Sequence, residues 1–88
     1  MPAFNDFPYR AAAALAITLM NESSNLDESK AIDIAWQAFK SFGDAKFQVE
    51  KYSDEVKAAI LGIRAGRLER IETSPGVLQK ARELLGKS

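Results

Sequence analysis

Apolar residues dominate the uncharged stretch at residues 11–20, which reads AAAALAITLM. On a helical wheel an arc of about 200° is covered by Tyr9, Ala12, Ala13, Leu15, Ala16, Ile17, Leu19 and Met20, while Ala14 lies on the more polar side. A transmembrane helix needs about 20 apolar residues, twice this length, and no basic start or small-residue cleavage site accompanies the run as in a signal peptide. The run therefore predicts a helix at the centre of a bundle, with Asn5 or Asp6 as its N-cap and Pro8 in its first turn.

A second helix is predicted by apolar residues that recur at helical spacing in the segment that follows. The stripe consists of Ala31, Ile32, Ile34, Ala35, Trp36, Ala38, Phe39 and Phe42. Asn25 with Glu28 three residues later fits an N-terminal capping box. Ser24 with Asp27 fits the same arrangement. Gly43 is placed to end this helix in a left-handed conformation.

Two more helices follow from the same pattern. Ser53 is the predicted N-cap of the third, with Asp54 and Glu55 opposing the helix dipole in its first turn and Gly66 as its end. Its core stripe consists of Val56, Ala59, Ile60 and Ile63. The fourth helix is predicted to start at the sequence SPG, residues 74–76, and to end at Gly86. Its apolar side consists of Val77, Leu78, Ala81, Leu84 and Leu85.

Two segments beside the third helix depart from helical periodicity. In residues 45–52, Phe47 and Val49 alternate with polar neighbours, which fits a short strand or a loop that tucks Phe47 into the core. Residues 67–73 fit a short strand, a turn of helix or an extension of the third helix. The predicted fold is all-α: a compact bundle of about four helices in a single domain, residues 1–88, with or without a short two-stranded extended element around the third helix.

The amino-acid composition makes several kinds of binding and catalysis unexpected for this protein. The 88 residues are 47% hydrophobic and 27% charged, and the 12 basic and 12 acidic residues cancel. Zero net charge gives no general attraction to nucleic acid or to an anionic membrane. The absence of cysteine and histidine removes the thiolate and imidazole groups that supply most nucleophiles, general bases and zinc ligands. We therefore expect a cytoplasmic protein that is not an enzyme and uses no cofactor, metal or membrane.

Small residues on the third helix are the first candidate contact surface. Ala58, Gly62 and Gly66 are four residues apart and stack along one side of a continuous helix, with Leu61 nearby. Glycine inside a helix costs about 1 kcal/mol relative to alanine, which suggests that a second helix presses close. That helix belongs either to a partner, which includes a second copy of this chain, or to the same molecule; the sequence favours the internal contact.

The second helix offers a further candidate pair. Trp36 and Ile34 lie at the edges of its apolar stripe. Tryptophan at such a margin acts as an interface anchor in some proteins. More often it is a core residue whose N–H reaches the rim of the core, and the sequence favours this interpretation.

Three arginines recur at intervals of three, at Arg64, Arg67 and Arg70, so a helix would align them loosely on one side. Arginine suits bidentate contact with phosphate. Glu69 and Glu72 lie beside them and are able to neutralise them, so a solvated surface of mixed charge explains the same residues.

These features lead to one favoured function and one alternative. The sequence TSPGV at residues 73–77 resembles an anion-binding helix start, but Ser74 as a plain N-cap explains it. The apolar helix surface exceeds what one small core is expected to enclose. We therefore expect a non-catalytic protein–protein interaction module, either a homodimer or a small adaptor or inhibitor that docks on a larger partner. The alternative is a nucleic-acid-associated regulator that uses the arginine row.

Overall fold

Four α-helices and one 3₁₀ turn make up the fold in a computed structural model that describes residues 7–87. The helices are α1 (Phe7–Glu22), α2 (Glu28–Ser41), α3 (Ser53–Arg64) and α4 (Pro75–Gly86), and the 3₁₀ turn (Ala45–Phe47) lies between α2 and α3. The all-α bundle is confirmed. The suggested strand pair is wrong within the described part, because residues 45–52 hold the 3₁₀ turn and residues 67–73 form a loop. Alternation over so few residues is too short to specify a strand.

Helix α1 is the central element, as predicted, and it packs against α2, α3 and α4. Ten of its sixteen residues are buried, including the whole of residues 11–17. Ala14, which the wheel placed on the polar side, is also buried, because a methyl side chain allows a neighbouring backbone to approach closely. The predicted caps Asn5 and Asp6 lie outside the described residues. Among the described helices, not one has the length and apolar character needed to cross a membrane.

The start of α2 corrects the predicted cap. Asp27 is the N-cap, and its carboxylate accepts a hydrogen bond of 2.8 Å from the backbone N–H of Lys30. Neither Asn25 nor Ser24 caps the helix, because the chain enters α2 two or three residues later than either capping box requires. At the other end Gly43 has a φ of 73°, which confirms the predicted left-handed termination.

The ends of α3 and α4 follow the predicted signals to within one residue. Ser53 is the first residue of α3 rather than its cap, which is Tyr52. The helix ends at Arg64, and Gly66 has a φ of 76°, in the left-handed region that glycine adopts without strain. Ser74 is the N-cap of α4 as predicted, although its hydroxyl makes no capping hydrogen bond.

A run of aromatic contacts joins the elements on one side of the bundle. Tyr9 of α1 stacks on Trp36 of α2 at a centroid distance of 5.8 Å. Tyr52, just before α3, meets Tyr9 edge-on, and Phe47 of the 3₁₀ turn meets Trp36 edge-on. Phe39 stacks on Phe47 at 4.4 Å. Phe47 thus lies in the core, as the loop alternative for residues 45–52 predicted.

Helix α4 lies mainly against α2, where Val77 and Ala81 are buried, and it is tied to α1 by an ion pair. Arg82 donates two hydrogen bonds to the carboxylate of Glu22, from Nε at 3.1 Å and from Nη2 at 2.6 Å. This two-point geometry fixes the last turn of α1 against α4.

Ionisation of the Tyr9 hydroxyl makes the free energy of unfolding depend on pH in the alkaline range. Burial raises the pKa of Tyr9, and the negative charges of ionised Tyr52 and of Glu55 raise it further. The stability due to neutral Tyr9 is therefore fully present below the ordinary tyrosine pKa of about 10 and is lost as the pH rises through the raised pKa. We expect Tyr9→Phe to flatten the alkaline loss of the free energy of unfolding, measured by urea denaturation between about pH 8 and 11. An equal alkaline loss in Tyr9→Phe and the wild-type chain contradicts the prediction.

The Glu22–Arg82 ion pair makes the stability of the protein depend on pH in the acidic range. The hydrogen bonds from Arg82 lower the pKa of Glu22, partial burial opposes this by raising the pKa, and the positive charge of Arg82 lowers it further. The stability from this pair is present above the ordinary glutamate pKa and is lost as the pH falls through the lowered pKa. We expect Glu22→Gln to lower the Tm slightly at neutral pH, since the pair is solvent-exposed, and to leave it unchanged in acid. A difference in Tm that persists in acid would show another cause.

Candidate functional site

Helix α3 has an inner face that packs on α1 and an outer face that is open to solvent. Val56, Ala59 and Ile60 are buried on the inner side. On the opposite side, three apolar residues spaced three and four apart, Ala58, Leu61 and Ala65, are exposed, and we call them the outer strip. Leu61 is 64% exposed, more than any other large apolar side chain in the described part of the chain. The small side chains of the two alanines on either side of Leu61 leave room for another backbone to approach.

The small-residue row predicted on α3 is divided by the structure. Because α3 ends at Arg64, Gly66 forms a turn and does not continue the row. Gly62 is buried by the chain that turns back after it, and its carbonyl accepts hydrogen bonds from the N–H groups of Arg67 and Leu68 at 2.8 and 3.1 Å. A Cβ at Gly62 would lie 2.7 Å from Leu68 Cδ1. Gly62 thus makes the internal contact. Of the row, only Ala58 remains on the outer face of α3.

Ile34 and Trp36 lie inside the molecule. Their side chains are 6% and 4% exposed. Trp36 contacts the rings of Tyr9 and Phe47. Both residues therefore contribute to the core, as the favoured interpretation of Trp36 predicted, and they offer almost no side-chain surface to a partner.

The arginine row is not aligned on one helix. Arg64 lies in the last turn of α3, whereas Arg67 and Arg70 follow it in the loop to α4. The guanidinium of Arg70 donates to the hydroxyl of Thr18 on α1, and that hydroxyl donates to the carbonyl of Ala14 at 3.1 Å. Arg70 thus fixes the loop to α1, and Arg64 and Arg67 remain exposed near the end of α3.

Charged residues surround the outer strip of α3. Asp54 and Glu55 are exposed in its first turn, where they interact favourably with the helix dipole, and Arg64 is exposed in its last turn. Glu55 and Arg64 are nine residues apart, so they lie on opposite flanks of the strip, and Lys57 is half-buried on the same flank as Arg64. The strip therefore has both acidic and basic side chains on its rim.

Other surfaces of the described residues give weaker support for a binding site. A shallow open groove of about 340 Å³ lies between the α1–α2 turn and the end of α4, and it is lined by Ser23, Asn25, Leu26, Asp27, Lys30 and Leu85. The carboxylate of Asp27 is already engaged in capping α2. The ring of Phe42, although exposed, lies at the start of α4, where a Cβ on Gly76 would meet it at 3.5 Å. Within residues 7–87, no three carboxylates are grouped closely enough to hold a metal ion.

The contact between Gly62 and Leu68 can be measured by a double-mutant cycle. An alanine at position 62 gains about 1 kcal/mol of helix propensity but must displace Leu68, and overpacking costs about 1–3 kcal/mol. We expect Gly62→Ala to lower the free energy of unfolding by up to about 2 kcal/mol in the wild-type chain. In the Leu68→Ala background we expect it to raise the free energy by about 1 kcal/mol. The free energies of unfolding of the wild type, the two single variants and the double variant are measured by urea denaturation. If Gly62→Ala changes the free energy in the same direction in both backgrounds, the contact is contradicted.

The chain was compared with protein-family models, with curated proteins and with solved structures. No family model, curated protein or solved structure matches it. The function is therefore argued from the residues themselves, with the outer strip of α3 and its charged ends as the surface that offers the most distinct chemistry.

Proposed function

We propose that this protein is a non-catalytic protein–protein interaction module and that the outer strip of α3 is its contact surface. The observation that carries the proposal is the exposure of Leu61, 64% of whose surface is open to solvent on a helix whose opposite face is fully packed. A leucine on the outer face of a helix contributes nothing to this core, and it is an effective anchor once a partner removes it from water.

The surroundings of Leu61 support a protein as the partner. Ala58 and Ala65 present only methyl groups, so a partner helix is able to approach to the 8–10 Å between axes that small residues allow. Charged residues lie around the strip, with Asp54 before it, Lys57 on one flank and Arg64 near its end. An apolar centre with a polar rim is the usual anatomy of a protein interface.

A nucleic-acid function is the weaker alternative. It would use Arg64 and Arg67, since Arg70 is hydrogen-bonded to Thr18. Two exposed arginines provide little net attraction for phosphates, and the chain as a whole has a net charge of zero. The exposed apolar strip has no use in such binding. We therefore favour the protein-interaction function.

Replacing Leu61 tests the proposal. We expect Leu61→Glu to reduce the recovery of specific protein partners at least ten-fold, because a carboxylate in the middle of the strip has to be desolvated on binding. The measurement is quantitative mass spectrometry of proteins that the tagged full chain recovers from nuclease-treated native lysate, which also contains a second copy of the chain with a different tag. The matched control is Val49→Glu, which removes another exposed apolar side chain outside α3.

Circular dichroism must show that both variants are as helical as the wild-type chain. If Leu61→Glu recovers the same proteins in the same amounts as the wild type, the outer strip is not the contact surface and the proposal fails. If nucleic acid is recovered without nuclease and is lost in Arg64→Glu/Arg67→Glu, the alternative function replaces it.

A further inference from the structure

We propose that α4 is a hinged lid that opens as one unit while α1, α2 and α3 stay folded, and that its opening uncovers an apolar face of α2. This inference concerns a different surface from the outer strip and is independent of the proposed function. Proteins open locally in contiguous units, whose free energies of opening range from near zero up to that of global unfolding. The packing, the helix ends and the tethers of α4 give it a low free energy of opening.

Helix α4 is the least buried of the described helices. Of its twelve residues Val77 and Ala81 are buried, whereas ten of sixteen are buried in α1 and six of fourteen in α2. Helix α3 also has twelve residues but buries four, of which Val56 and Ile60 are fully enclosed. Each buried apolar side chain adds to the cost of detaching a helix. The detachment of α4 therefore removes fewer buried side chains from the interior than the detachment of any other helix described.

The ends of α4 lack the local interactions that stabilise a helix by itself. Its N-cap, Ser74, makes no side-chain hydrogen bond to the helix, and α4 has neither an acid in its first turn nor a base in its last. A helix of about twelve residues is marginal in water without tertiary contacts. Once detached from α2, α4 therefore loses its helical hydrogen bonds, and its backbone N–H groups exchange with solvent.

Contacts at its two ends show which face of α2 the lid covers. Phe42, just after α2, lies at the start of α4, where a Cβ on Gly76 would be 3.5 Å from its ring. Lys30 in the first turn of α2 and Leu85 in the last turn of α4 line the same groove. The two helices are therefore antiparallel. Residues three and four apart share one face of a helix, so α4 follows a row of α2 that consists of Ala31, Ile34, Ala38 and Phe42.

This row is a different face of α2 from the one that carries Trp36. Trp36 contacts the rings of Tyr9 and Phe47, so its face is held by α1 and the 3₁₀ turn. Ile34 is two residues away from Trp36, which places it about 200° around the helix. Opening of α4 therefore exposes Ile34 and Ala38 without disturbing the aromatic contacts.

The hinge of the lid lies in residues 72–74. Before it, Leu68 packs on Gly62 of α3, and the guanidinium of Arg70 donates a hydrogen bond to the hydroxyl of Thr18 on α1. These contacts hold the loop on the rest of the bundle when α4 moves. After the hinge, α4 begins at once with Pro75.

The ion pair that ties α4 to α1 is a weak latch. The side chains of Arg82 and Glu22 are 53% and 39% exposed. An exposed ion pair contributes little to stability, because solvent screens both charges. The lid is therefore held mainly by the contact of its apolar side with α2.

Hydrogen exchange of the ¹⁵N-labelled full chain, followed by NMR, tests the inference. We expect the amides of residues 78–85 to share one opening constant, roughly ten-fold or more above that of the slowest amides of α1 and α2. Their exchange should also depend less steeply on urea, because the lid exposes less surface than global unfolding does. A gradual loss of protection toward residue 87 indicates fraying of the helix end and overturns the inference. Exchange of α4 at the rate of global unfolding overturns it as well.

A pair of core variants separates lid opening from global unfolding. Ile60→Val removes a buried methyl group from α3, which packs on α1 and stays folded when the lid opens. We expect the slowest amides of α1 to exchange about five-fold faster in Ile60→Val, with those of α4 unchanged. Val77→Ala, in the contact of the lid itself, is expected to speed the α4 amides by about five-fold or more. If Ile60→Val speeds α4 as much as α1, or Val77→Ala leaves α4 unchanged, the inference fails.

Leu68→Ala tests the position of the hinge. It weakens the loop contact that precedes residues 72–74 and should leave exchange of the α4 amides unchanged, because the loop stays in place in both the closed and the open state. If Leu68→Ala speeds α4, the loop opens together with the helix and the hinge is not at residues 72–74. The outer strip lies on α3, so none of these results decides the protein-interaction proposal, which depends on Leu61→Glu.

Discussion

The close packing of α1 is the constraint on which the rest of this structure depends. Its alanine run contributes little apolar area per residue, so stability requires that neighbouring backbones come near on all sides. Helices α2, α3 and α4 each contact α1, and the whole of residues 11–17 is buried. Within residues 7–87, a helix that is enclosed this fully leaves the enclosing helices with outer faces that are exposed to solvent.

What those outer faces carry differs from helix to helix. The outer face of α2 is polar, with Lys30, Asp33 and Gln37 exposed. The loop after α3 returns along one flank of that helix, where Leu68 covers Gly62 and Arg70 binds Thr18. This loop leaves Leu61 uncovered. The candidate site is therefore the part of α3 that remains after α1 has covered its inner face and the loop has covered one flank.

The sequence predicted the helices well because each has a long 3.6-residue period and a glycine or proline near an end. It predicted the α2 cap poorly because Asn25, Ser24 and Asp27 are all good capping residues, and only the path of the chain selects among them. For a related reason, the sequence could not predict that Ala58 is exposed while Gly62 is buried. Ala58 and Gly62 are neighbours on a wheel, yet Gly62 is hidden by Leu68, a residue six positions later in a loop.

Acids in the first turn and bases in the last turn of a helix interact favourably with its dipole. Helices α1 and α4 have neither acids in the first turn nor bases in the last. Helix α2 has both, Glu28 and Lys40, but no large apolar side chain is exposed between them. Among the described helices α3 alone combines the two charged ends with an exposed leucine between them. The exposed area of Leu61 is what sets α3 apart from the other helices, because exposed charges alone contribute little to binding.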